Sequence, residues 1–254
     1  MSTARVSASL AARSLVLIPR VPSTFVPSLI FPIFSVIAFS GAFSAVVNIP
    51  GFPVDNVIDW MLPMSIVQGA AFSGITVGLG MARDLESGFF DRLLLAPVRP
   101  IGLVAGPMVA AAVRAFIPYA LVLVVGLVAG ARLPGGVAGA LVLLLAAEGT
   151  ALMGAGWAIG LALRAKSMQI APLMQMGIFL TVFLSTAQVP LSVMTGWLHA
   201  VARINPMTNI LALARQGFIG DVSWGQTWPG LIALAAGVAV LSVFAARGLR
   251  TLVP

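Results

Sequence analysis

The chain has 254 residues, of which 60% are apolar and only 8% charged, and its mean hydropathy of +1.08 is that of a protein dissolved in lipid, since a soluble domain carries roughly 25% charged residues. The absence of cysteine excludes disulfides, thiolate metal sites and a cysteine nucleophile, and the single histidine, His199, excludes a multi-histidine metal cluster. The net charge of +7 comes from basic residues scattered singly beside apolar segments, which is unlike a nucleic-acid-binding patch and excludes that class of partner.

Residues 1–24 carry Arg5, Arg13 and Arg20, which at about 100° per residue share one side of a helix. The apolar run 15–18 is too short for a signal peptide, and Pro19 and Pro22 interrupt it. This segment reads as a cytosolic surface helix leading into a transmembrane domain that occupies 25–254. Stretches of about 20 apolar residues then predict six spans, near 25–47, 62–82, 103–129, 137–163, 170–190 and 228–246. The fold class is therefore all-α and polytopic. Pro27 and Pro32 fall in the first turns of the first span, where a missing N–H does least harm, and Pro107 and Pro118 predict a kink in the third.

Between the second and third spans lies an island of charge, 83–100, that holds Asp84, Glu86 and Asp91 with Arg83, Arg92 and Arg99. Such an island must lie outside lipid, because one charge at the bilayer centre costs about 2.5 to 3.5 kcal/mol on the lenient scales. Residues 84–96 can run as one helix, with Asp84 at its positive pole and Pro97 and Pro100 ending it. Leu85, Phe89 and Leu93 recur along one face, with Phe90 and Leu94 beside them. Two readings fit this amphipathic segment: a loop helix covering the underside of the bundle, or a docking helix for a partner.

The run Asp84-Leu-Glu86-Ser-Gly88, then Asp91-Arg92-Leu-Leu and Pro97, resembles the signature of permease subunits of type-2 ABC exporters, in particular the daunorubicin-resistance-like branch. The resemblance implies that 84–96 is a coupling helix seated in a cleft of an ATP-binding subunit. Asp84, Glu86, Gly88, Phe89, Asp91, Arg92, Pro97 and Arg99 are then the ATPase-coupling residues. Arg99 stands for the basic residue that usually follows the proline, and Pro100 beside it departs from the pattern.

Small residues mark helix contacts further along. Ala70, Gly74, Gly78 and Ala82 repeat at four-residue spacing in the second span, as do Gly156 and Gly160 in the fourth. They suit packing within the chain or a subunit interface. Two ionisable residues fall inside predicted spans, Arg114 in the third and Glu148 in the fourth. The short connection 131–136 makes these spans neighbours, and an Arg114–Glu148 ion pair is expected. Structural pairing, substrate contact and proton relay all remain open for the two residues.

The segment 188–226 is neither a full span nor a polar loop. Trp197, Leu198, Val201 and Ile204 form one apolar face, Asn205-Pro206 breaks it, and Ile210, Leu211, Leu213 and Phe218 form a second. Two short helices within 191–220, dipping into the outer leaflet, fit this pattern. Here too Pro190, Met194, Trp197, Asn205, Pro206 and Arg215 are similar to the corresponding outer re-entrant segment of the same permease family, except that Thr195 stands where a proline often follows the methionine.

With the N-terminus inside, Arg5, Arg13, Arg20, Arg83, Arg92, Arg99, Arg164, Lys166, Arg247 and Arg250 lie on the cytosolic face, against Arg132, Arg203 and Arg215 outside. This bias puts both termini and the island in the cytosol of a cell-membrane protein. No Gly-x-x-x-x-Gly-Lys-Ser/Thr loop occurs, so ATP and Mg are expected on a partner subunit. Nor is there a serine protease motif: Ser73-Gly74 follows Ala71, where glycine is required, and His199 is predicted outside. No catalytic, metal-binding or cofactor-binding residue is assigned to this chain. The resemblance implies the permease of an ATP-driven exporter, paired with a second permease copy or homologue and moving a hydrophobic or amphipathic cargo such as a drug, polyketide or lipid. The alternative is a proton-coupled secondary carrier using Glu148, which leaves the island unexplained.

Overall fold

The computed structural model describes residues 9, 11–13, 22–94, 101–250 and 252, with the backbone alone at 22–28, 91 and 94. Among them there is no strand. The helices are α1 (Pro22–Ala42), α2 (Val57–Glu86), α3 (Phe89–Leu94), α4 (Ile101–Val128), α5 (Gly136–Ala165), α6 (Ala171–Phe183), α7 (Gly196–Ile204), α8 (Pro206–Ile219) and α9 (Trp224–Arg250), with short 3-10 turns at Ser44–Asn48 and Met168–Ile170. Four of them, α2, α4, α5 and α9, are long and apolar enough to cross a membrane. The protein is an all-α, multi-pass membrane protein.

α2 is the axis of the bundle. It packs chiefly against α5, then against α4 and α1, and touches α8 and α6 as well. Close approach is possible because the facing residues are small. A methyl group on Gly74 would collide with the backbone of Ala151, Gly154 and Ala155, one on Gly78 with Ala158, and one on Gly154 would meet the Ala71 carbonyl at 2.5 Å. Gly156 and Gly160 lie as tightly against Leu241 and Phe244 of α9. Both small-residue stripes are thus used inside the chain: at Gly74 and Gly154 backbone meets backbone, and Gly160 makes room for the Phe244 ring.

Two predicted elements end differently from expectation. The span predicted over 170–190 is helical only to Phe183, about 20 Å against a hydrocarbon thickness of roughly 30 Å. Apolarity continues past that point, but the backbone turns away, and Ser185, Thr186 and Ala187 are buried without a helix around them. In α1, Pro27 and Pro32 lie in the helix interior and not in its first turns, because the helix begins at Pro22. Pro107 and Pro118 sit inside α4 as expected.

The two ends of the bundle differ in character. At one end α2 leads into the charged island and α3. At the other, α2 starts at Asn56, whose side chain accepts a hydrogen bond from the Ile58 N–H at 3.1 Å. There Asp59 accepts from the Arg132 N–H at 2.7 Å, and the Gly135 N–H donates to the Gly217 carbonyl at 2.9 Å. These bonds tie the starts of α2 and α5 and the end of α8 together.

Candidate functional site

At the island end the chain does not form the single helix expected over 84–96. α2 runs to Glu86, the Ser87 and Gly88 N–H groups donate back to the Arg83 and Leu85 carbonyls at 3.0 and 3.1 Å, and α3 begins at Phe89. Gly88 has φ +71, the left-handed conformation that commonly ends a helix and that a side chain disfavours. The break moves Asp84 from the start of a helix to the last turn of one, where the dipole disfavours a carboxylate.

Arg13 offsets that placement. Its Nη1 and Nη2 donate to both Asp84 oxygens at 2.8 and 2.7 Å, and its guanidinium lies 4.4 Å from the centre of the Phe89 ring. The hydrogen bond to Asp84 pushes the Arg13 side chain above its already high ordinary pKa. The segment 9–13, placed by sequence in a surface helix, is helical where it is described. It holds the end of α2 and the start of α3 together across the Gly88 turn.

α3 keeps the expected amphipathic character. Phe90 is buried, and Leu85 and Leu93 pack against the main core. Glu86 and Arg92 are exposed, as is Arg83, and among the described residues none of these three makes a salt bridge. A greasy side is thus anchored to the bundle while unpaired charges of both signs face outward. Pro97, Arg99 and the side chain of Asp91 lie outside the described residues.

The outer segment forms the two short helices expected, α7 and α8, broken at Asn205-Pro206. The Asn205 side chain accepts from the Met207 N–H at 2.9 Å, capping α8, and donates to the Thr181 and Leu184 carbonyls at 2.8 and 2.9 Å. Pro206 occupies the first turn of α8, where its missing N–H is harmless. Arg215, only 1% exposed, donates to the carbonyls of Trp60, Thr186 and Ala187 at 3.0, 2.6 and 2.6 Å. Its guanidinium also lies 3.8 Å from the centre of the Trp60 ring.

These two side chains explain why α6 can stop early. Carbonyls released where the helix ends would be costly inside a membrane protein unless something bonded them, and Asn205 and Arg215 bond four of them. Pro190 and Met194 are buried beside this junction. α7 departs from the expected tucked arrangement, with Trp197 71% and Ile204 83% exposed. Leu198 and Val201 of the same face are half-buried, so the helix lies on the bundle surface with part of its apolar side turned outward, as suits a membrane interface.

Arg114 and Glu148 do not form the expected ion pair. Arg114 is buried, and its Nη1 donates to Thr76 Oγ1 on α2 at 3.3 Å. Among the described residues Glu148 makes no salt bridge. The physical reason is that α2 packs more closely against α4 and α5 than they pack against each other, so a long side chain from α4 meets α2 first. Sequence reading also passed over Ser65 and Gln68, one turn apart on α2. Both are fully buried, and among the described residues neither the Ser65 hydroxyl nor the Gln68 amide has a hydrogen-bond partner. Their signal was there, as polar residues inside an apolar span.

An amphipathic charged island, a pair of short helices broken at Asn205-Pro206 and a small-residue bundle are the features that the sequence motifs implied, and a family comparison bears on the resemblance they carry. The family described as ABC-2 type transporter matches residues 7–219. The chain belongs to that family. The match takes in both the island and the outer segment, so the two regions that carried the resemblance fall within one family domain. Over 224 residues the chain is also 23% identical to the daunorubicin resistance ABC transporter permease protein DrrB1 of Streptomyces coeruleorubidus, covering 87% of this chain and 75% of that protein. As a member of the ABC-2 type transporter family the chain is a membrane component of a transporter.

Proposed function

We propose that this chain is the permease of an ATP-driven exporter whose energy comes from a separate ABC subunit docked on the island. The observation that carries this reading is the island end, where α3 lays Phe90 and Leu93 on the core while its Arg92, and Glu86 at the end of α2, turn outward. Glu86, Asp91, Arg92 and Arg99 form the charged part of the contact, and ATP and Mg are bound by the partner. The island end and both termini face the cytosol of the cell membrane, in keeping with the basic residues that cluster there. A second permease copy or a homologue completes the pathway. The cargo is a hydrophobic or amphipathic compound, a class supported by the drug-resistance role in the name of the similar permease.

The test reverses charge at the contact. In the Glu86→Lys/Asp91→Lys double variant, ATPase co-purification and ATP-driven transport into inverted vesicles are expected to fall together while membrane insertion survives, since like charges across an interface cost several kcal/mol. Normal transport by the double variant overturns the reading. Transport driven by a proton gradient without ATP, and abolished by Glu148→Gln, would favour a secondary carrier instead.

A further inference from the structure

α4 and α9 both pack against α5 but touch each other only sparsely, and at the island end a groove of about 470 Å³ opens between them. Its walls are Ile101, Val104, Ala105 and Met108 from α4 and Ala246 and Leu249 from α9, with Arg250 at its mouth. The inner end is closed where Ser242 Oγ meets Met108 Sδ at 4.0 Å, which uses the one hydroxyl on the α9 wall.

The depth of the groove suits a particular occupant. From Ser242 to Arg250 is eight helical residues, about 12 Å, close to the roughly 15 Å of hydrocarbon in one leaflet. At the closed end the walls are apolar. At the open end stands Arg250, exposed, with Arg247 on the same last turn of α9. An apolar slot one leaflet deep, capped by basic charge, complements a lipid that has an acyl chain and an anionic headgroup, and basic pockets between helices on the cytoplasmic side of membranes bind such headgroups.

We infer that this groove holds one acyl chain of an anionic phospholipid from the cytosolic leaflet, with its headgroup on Arg250. The inference rests on the orientation proposed above, which places the groove in the leaflet that carries anionic lipid. The site is separate from that contact: the lipid would seat between α4 and α9, whereas the ATPase contact centres on the end of α2 and on α3.

The test uses the permease purified with its ATPase in mild detergent. It is incubated with palmitoyl-oleoyl phosphatidylglycerol, or with phosphatidylcholine of the same chains, and bound lipid is read by native mass spectrometry. Phosphatidylglycerol is expected to be retained in preference to phosphatidylcholine. Arg250→Gln, an exposed substitution, should lower retention about five-fold. Ala246→Phe should abolish it by filling the slot while leaving Arg250 in place, and Arg132→Gln at the opposite end should not alter it. Equal retention of the two lipids, or unchanged retention by Arg250→Gln, overturns the inference. ATPase co-purification in the same samples reads the island separately. An empty groove with the ATPase bound sinks the lipid site alone, and retained lipid without the ATPase sinks the exporter reading alone.

Discussion

Arg215 shows what a single side chain can do in a place without water. It is the only long cation among the fully buried large side chains of the described residues, and its donors go to main-chain carbonyls from α2 and from the stretch that follows α6. An arginine suits this position because its planar fork presents several donors in fixed directions, whereas a lysine concentrates its charge at one point. Arg215→Gln should therefore destabilise the protein by about 3 kcal/mol or more, since each buried carbonyl left unbonded costs roughly 1 to 3 kcal/mol. Arg215→Lys should recover only part of that loss. Thermal unfolding in detergent measures both, and a glutamine variant as stable as the parent would show that water replaces the guanidinium. The sequence marked Arg215 only through its family resemblance and otherwise counted it among the basic residues of the outside face, whereas it is buried. Its role was not legible there, because its partners lie 155, 29 and 28 residues away.

At the scale of elements, the four long helices were readable to within a few residues from apolar length alone, because a lipid solvent imposes one strong requirement on composition. The helix expected over 84–96 and the span expected over 170–190 were misread for a common reason. Apolarity says where a chain can be buried and is silent on where its helix stops, and the stops here depend on remote partners: Arg13 at the Gly88 turn, Asn205 and Arg215 at the end of α6. The Arg114–Glu148 expectation failed similarly, because depth in the membrane was legible and the identity of the intervening helix was not. The packing of α2 on α5 carries its own prediction. Gly78→Leu places a large side chain where even a methyl collides with Ala158, so it should lower the melting temperature through overpacking worth about 1 to 3 kcal/mol. Gly80→Leu, on the same helix where nothing lies within 4 Å of an added methyl, should be tolerated. Equal losses from the two would mean that glycine matters in α2 for reasons other than this contact.

For the whole molecule, the absence of cysteine lets one introduced thiol report on one position. A cysteine at Leu211, fully buried in α8, should resist a water-soluble maleimide added to intact cells, and one at Asp221, exposed just beyond α8, should react. Rapid labelling of both would show α8 to be a solvated loop segment. The arrangement of α2 has a further mechanical meaning. Its 30 residues make a rod about 45 Å long, half again the thickness of the hydrocarbon slab. One end adjoins the charged turn gripped by Arg13, and the first turn at the other end supplies the Trp60 carbonyl gripped by Arg215. A tilt of only 5° about one end swings the other by about 4 Å over that length. Within the proposed exporter such a helix would serve as a lever between the island and the junction that Arg215 holds, with Pro63, three residues from Trp60, as its one interior proline.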